Sequence, residues 1–108
     1  MVRIPKPIQR AIEDYIKKIN SQIPVDKVIL FGSYAKNAYD NNSDIDIAIF
    51  SDYFANMDRV LAFKFLMKQT RDYDYDLEPL PFTLSDYYEP LGIVEEIIKT
   101  GIEISIPA

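Results

Sequence analysis

Asp44 and Asp46 stand two residues apart in an otherwise apolar run, Asp44-Ile45-Asp46-Ile47. On a strand this spacing sends both carboxylates to one face and both isoleucines to the other, toward a core. Paired carboxylates repel each other and are costly to bury. A divalent cation with oxygen ligands offsets that cost. Upstream, the apolar run Val28-Ile29-Leu30-Phe31 ends in Gly32-Ser33. Glycine there lets backbone N–H groups approach a phosphate, and the serine hydroxyl adds a donor. A phosphate-contacting turn and a carboxylate pair on neighbouring strands point to handling of a nucleoside triphosphate.

Each half also has a bland explanation. Two acids on a strand are often a solvated face, and Gly-Ser after a strand is ordinary turn chemistry. The conjunction carries more weight: strand, Gly-Ser, ten residues, then Asp-x-Asp within a second strand. Other phosphate and metal motifs fail on the residues. A helix–loop–helix calcium site built on Asp40, Asn42 and Asp44 would need glycine at 45 and glutamate at 51, where Ile45 and Ser51 stand. The Walker-type phosphate loop and the dinucleotide glycine fingerprint are absent from a chain with three glycines.

Composition narrows the chemistry further. The 108 residues suit one domain, 1–108, and 48% are hydrophobic, enough for a packed core. A net charge of -5 argues against nucleic acid as the main partner. With no cysteine and no histidine, disulfides, thiolate metal sites and imidazole catalysis are excluded. Chemistry must run on carboxylates, hydroxyls, Lys, Arg and bound metal. The proline-bearing start MVRIPKPIQR and the lack of a long apolar run predict a cytoplasmic chain with no membrane span.

The elements that must hold these residues follow from periodicity. Ile8, Ala11, Ile12, Tyr15, Ile16 and Ile19 predict a helix over 6–21, with Pro5 and Pro7 at its start. Strands follow over 25–31 and 44–50, joined by a connection in which Tyr34-Ala35-Lys36 opens a short helix. Asn56 or Asp58 would cap a helix over 56–69, whose apolar face is read as Met57, Val60, Leu61, Phe65 and Leu66, widened by Phe63 and Met67. Tyr73 to Pro79 alternates apolar with acidic residues, predicting a strand with Asp74, Asp76 and Glu78 on one face. Pro79 and Pro81 make its far end an edge or an exit from the sheet. Ser85 or Asp86 would cap a helical turn. A last helix through Leu91, Val94, Ile97 and Ile98 would end at Gly101, before a strand through Ile102, Ile104 and Ile106. The fold class is α/β (α+β), a small mixed sheet of about four strands with helices packed on it.

Gly32-Ser33-Tyr34-Ala35-Lys36-Asn37, followed by Ser43-Asp44-Ile45-Asp46-Ile47, resembles the signature of the DNA polymerase beta-type nucleotidyltransferase superfamily, nearest its minimal nucleotidyltransferase (MNT) branch. The family pattern is roughly Gly-Ser-x-Ala-x-Gly, then Ser-Asp-x-Asp. Asn37 stands where the family has glycine, and Asn tolerates the left-handed conformation better than most residues. The likeness implies a palm-like fold and a third carboxylate on a neighbouring strand. Glu78 is the first candidate, because Leu77-Glu78-Pro79-Leu80-Pro81 is similar to a strand ending in these proteins, and Asp76 is the second. It also implies two Mg2+ ions on Asp44, Asp46 and the third acid, with Gly32 and Ser33 on the β- and γ-phosphates of ATP.

What the likeness implies about biology is a pairing with a helical HEPN-domain toxin. The MNT member acts as antitoxin, by AMP transfer onto a toxin tyrosine or by binding alone. That makes the chain part of an oligomer, with itself or with its partner. A subunit of an aminoglycoside-type nucleotidyltransferase is a third reading, favoured by an acidic surface and opposed by the lack of a substrate domain. Tyr34, Tyr39, Tyr53, Tyr87 and Tyr88 are candidate interface residues.

Overall fold

Alternation along the central strand divides the molecule. In β2 (Ile45–Phe50), Ile45, Ile47 and Ile49 are buried on one face, and Asp46, Ala48 and Phe50 lie on the other. The structure, a computed structural model, describes residues 4–107. β2 pairs antiparallel with β1 (Lys27–Phe31) and parallel with β3 (Leu77–Phe82), and the two-residue β4 (Ile102–Glu103) pairs antiparallel with β1. The strand order is β3-β2-β1-β4. Helices cover both faces, as expected for a mixed sheet.

The larger core lies on the isoleucine face. The helix α1 (Lys6–Asn20) buries Ile8, Ile12, Tyr15, Ile16 and Ile19 against Val28, Leu30 and the three β2 isoleucines. Pro7 in its first turn and Lys17 and Lys18 in its last match the preferences of helix ends. The buried Tyr15 hydroxyl donates to the carbonyl of Leu66, 2.8 Å away, tying α1 to α2 (Arg59–Lys68). On the opposite face, α4 (Ile93–Thr100) packs Val94 and Ile97 against Ile29, Ala48, Phe50 and Phe82, beside the short α3 (Leu84–Tyr88).

Several boundaries differ from the periodicity reading. The alternating stretch Tyr73–Asp76 is a turn, and the third strand begins at Leu77 and runs on through both prolines. Asp74 and Asp76 therefore lie outside the strand that carries Glu78. The first strand starts at Lys27, and the last holds two residues, with Ile104 N–H reaching the Val28 carbonyl beyond it. Residues 34–36 form turns in place of a helix. A 3-10 turn, Asp52–Phe54, precedes α2, whose cap is Asp58, accepting from Val60 and Leu61 N–H groups. Thr83 caps α3, with Asp86 closing a capping box, so neither Ser85 nor Asp86 is the cap. Gly101 does end α4, but with φ -81°; a side chain there would collide with Ile29 and with the Ile97 and Leu30 carbonyls, so close packing requires the glycine.

The apolar face read for α2 also changes. Ala62 and Leu66 are buried, whereas Val60, Leu61 and Phe63 are exposed. A helix with apolar residues on every side gives no periodic cue to its inward face.

Prolines sit comfortably in β3 because of which way its backbone points. The carbonyls of Asp76 and Phe82 accept from Ile45 and Ser51 of the β2 segment, so even-numbered residues of β3 bond to β2. Pro79 and Pro81 have odd numbers and direct their nitrogens outward. The flanking outward donors are also satisfied: Leu77 N–H bonds the Tyr75 carbonyl and Thr83 N–H bonds the Asp86 carboxylate. The rim from 77 to 83 thus offers no free N–H to another strand. Replacing both prolines with valine restores two outward donors on a β-favouring backbone. The double variant is expected to self-associate with rising concentration in sedimentation equilibrium under conditions where the parent does not; identical behaviour would refute this account of the rim.

Candidate nucleotide and metal site

The turn that leaves β1 is built to meet a carboxylate. Gly32 has φ 75°, in the left-handed region, and a Cβ placed on it would overlap the Asp46 carboxylate. Both the conformation and the contact exclude any larger residue. Phe31 pairs with Asp46 across the β1–β2 ladder, which brings the turn over that side chain.

The turn closes on backbone bonds alone. Ala38 N–H reaches the Ser33 carbonyl at 2.9 Å and Asn37 N–H the Tyr34 carbonyl at 3.5 Å, the paired bonds of a Schellman motif. The residue such a motif requires in the left-handed region is Asn37, with φ 56°, the only non-glycine with positive φ among the described residues. Asparagine thus adopts the conformation for which the MNT-like pattern uses glycine, and the turn survives the change. Ser33 is half-buried at its start, and Tyr34 and Ala35 are buried beneath it.

The acids approach from two strands. Asp46 and Glu78 are direct partners in the parallel β2–β3 register, on one face of the sheet. Asp44 lies just before β2, exposed at the mouth. Burial, the neighbouring Glu78 carboxylate and then Asp44 push the Asp46 carboxyl from 3.8 up to about 6. Asp76 contributes its carbonyl to Ile45 N–H, and its side chain lines a cleft of about 280 Å³ beside Ser43, Asp40, Asp74 and the stacked rings of Tyr34 and Tyr39. Among the described residues no three acids form a ready-made metal cage. Asp46 and Glu78 meet, with Asp44 near enough to raise Asp46, while Asp76 lies before β3.

The donor set nevertheless suits a hard divalent cation. Its groups are carboxylates, and no cation is among the causes acting on Asp46, so its repulsion with Glu78 is uncompensated by protein. Asp44, Asp46 and Glu78 are the residues that could hold such an ion, with Asp76 further out.

Tyr34 leaves the interface candidates, being buried and stacked on Tyr39 with ring centroids 4.4 Å apart. Tyr87 packs edge-on against Phe50, whereas Tyr53 and Tyr88 are exposed. Sequence reading passed over the cleft formed by Tyr34, Tyr39, Asp40 and Ser43. Its only signal is the five-residue spacing of two aromatics across a turn.

The model of the family described as "Polymerase beta, Nucleotidyltransferase" matches residues 13–106. A Methanocaldococcus jannaschii protein named "Putative protein adenylyltransferase MJ0141" is 26% identical over 96 residues, 86% of this chain and 94% of that one. Among solved structures, a "putative nucleotidyltransferase from Sulfolobus solfataricus" superposes with a TM-score of 0.68 at 16% identity, covering 91% of this chain and 79% of its own. A toxin–antitoxin structure with AMP-PNP superposes with a TM-score of 0.61 at 22% identity, over 92% and 73%. At these identities the superpositions establish a shared fold.

Because the native Asp46 carboxyl binds its proton more tightly than the unfolded one, stability without metal falls as pH rises from 3.8 to about 6. In EDTA, Asp46→Asn is therefore expected to be more stable than the parent at pH 7, by on the order of 1 kcal/mol after allowance for solvent screening, with a flatter melting-temperature profile over that window. A parent profile as flat as the variant's would contradict this. Gly32→Ala is expected to lose about 1–3 kcal/mol in urea unfolding, from backbone strain and collision with Asp46; Asn37→Gly should change stability by less than about 1 kcal/mol.

Proposed function

The chain belongs to the polymerase beta nucleotidyltransferase family, and from that premise we propose that it is a magnesium-dependent protein adenylyltransferase acting as an antitoxin. The substrate is ATP, and the acceptor is a tyrosine of a helical HEPN-domain toxin. The single observation that carries the reading is the close approach of Gly32, Asp46 and Glu78, with the Asp46 carboxyl pushed up by burial and by Glu78. The name of the M. jannaschii relative supports AMP transfer to protein. A toxin–antitoxin neighbour titled MntA-HpeT, 20% identical with a TM-score of 0.57, supports the partner.

In this mechanism the chain's residues mainly bind and orient. Gly32 and Ser33 would contact the β- and γ-phosphates through the backbone N–H groups of the turn, while the missing Cβ of Gly32 admits the Asp46 carboxylate beside them. Asp44, Asp46 and Glu78 would hold the magnesium ions, with Asp76, just before β3, the alternative to Glu78. Magnesium, when bound, would neutralise triphosphate charge and lower the pKa of the acceptor hydroxyl. Glu78, exposed at the rim, would serve either as a ligand of the ion or as the base that takes the proton from that hydroxyl. The tyrosine oxygen attacks the α-phosphorus, the bond to the bridging oxygen breaks, pyrophosphate leaves, and AMP remains on the acceptor. With no histidine in the chain, proton transfer falls to carboxylates.

The test is transfer of label from α-labelled ATP to a co-purified toxin, with magnesium or EDTA. Asp44→Asn combined with Asp46→Asn is expected to keep the fold and lose label transfer by about 1000-fold or more, the scale of several kcal/mol of metal-derived stabilisation. Unchanged transfer would refute the mechanism. Full relief of toxicity in cells by the same variant would establish neutralisation by contact alone.

A further inference from the structure

The exposed face of α2 differs in character from the rest of the chain. From Arg59 to Arg71 there are four cations, Arg59, Lys64, Lys68 and Arg71, and no acid. The remaining residues carry a net -9, the chain's -5 less these four positive charges. All four cations are exposed. The ion pairs among the described residues use Lys18, Lys27 and Lys99 instead.

Apolar side chains lie between these cations. Val60 and Leu61 are each 59% exposed and Phe63 is 39% exposed. Arg59, Val60 and Phe63 form one wall of a groove of about 320 Å³ that passes over the β3 rim at Pro81 and is closed by Leu80, Phe82 and Ile93. Exposed apolar surface concentrated in this way, with a rim of charge, marks a binding surface. Leu80 and Glu78 share a face of β3 two residues apart, so the groove runs toward the carboxylates at a distance of about 7 Å along the strand.

We propose that the α2–β3 groove is the docking surface for an acidic, amphipathic helix of the partner protein. Charge selects the occupant. Arg59 lines the groove, and Lys64, Lys68 and Arg71 line the adjoining cleft that shares Phe63 with it; a symmetric contact between two copies over this surface would set cation against cation, whereas an acidic helix lying across both neutralises them. The donor-free rim of β3 selects its secondary structure. An added strand would find no outward N–H from 77 to 83, while a helix brings its own backbone bonds and needs only apolar and charged contacts. Docking there sets the partner beside Glu78, where an acceptor hydroxyl must arrive. The inference rests on the reading that the acceptor is a protein.

The test uses a displayed library of helical peptides with fixed apolar residues at i, i+3, i+4 and i+7, and Glu, Asp, Lys, Arg, Ser or Ala elsewhere. Acidic sequences are expected to be enriched on the intact chain. A selected peptide should shift the NMR signals of α2, residues 79–82 and Ile93, bind more weakly as salt rises, and lose at least tenfold in affinity with Lys64→Glu/Lys68→Glu. Phe63→Ala, which changes no charge, should weaken it as well. Asp44→Asn/Asp46→Asn should bind the peptide like the parent, so docking is read apart from transfer: failed transfer by the parent with intact docking counts against the reaction and not against the groove. Enrichment of basic or neutral peptides, or none, overturns the proposal. So does binding to phosphatidylserine vesicles without peptide enrichment, or self-association that the α2 charge reversal abolishes.

Discussion

One carboxylate in a crowded place governs this structure. Asp46 is pressed between the bare backbone of Gly32 and the side chain of Glu78, on a strand whose other face is buried isoleucine. Each neighbour makes the charge more costly to keep. The glycine removes room for water, the second acid adds repulsion, and the sheet prevents retreat. The fold tolerates the strain because Ile45, Ile47 and Ile49 anchor the strand from behind. An arrangement that raises a carboxyl to about 6 in the middle of a well-packed sheet is a poor choice for stability alone and a good one for capturing a doubly charged ion.

The two ladders flanking β2 perform different tasks. The antiparallel pairing with β1 delivers the glycine turn over Asp46. The parallel pairing with β3 delivers Glu78 beside it, after a crossover through α2. Because β3 is an edge, its acid is reachable from outside while Asp46 remains half-buried. The same crossover helix carries the chain's basic, apolar surface. One βαβ unit thus contributes the exposed carboxylate and the surface beside it that suits a macromolecule.

The turn and the central strand were legible in the sequence because their signals are local. Strand parity put Asp46 opposite the isoleucines, though Asp44 lies just before the strand, and the conformational tolerance of asparagine accounted for Asn37. Two other features were opaque for physical reasons. Tyr73–Asp76 alternates like a strand but is a turn, whereas Leu77–Phe82 contains two prolines and is a strand; only tertiary pairing reveals that the prolines face outward. The inward face of α2 could not be read because Val60, Leu61 and Phe63 mimic core residues. The Thr83 cap was readable in principle, since Thr83 and Asp86 have capping-box spacing.

Register has a consequence for how such a chain can vary. Asp46 and Glu78 face each other across one rung, and side chains on a strand alternate sides. Insertions in the crossover between 51 and 76 alter its length and leave that rung intact. A single residue inserted between Leu77 and Glu78, with Leu77 held in register, turns the glutamate to the opposite side of the sheet and brings a proline's missing N–H inward. Length is therefore a continuous variable in one part of this chain and an all-or-none variable in another.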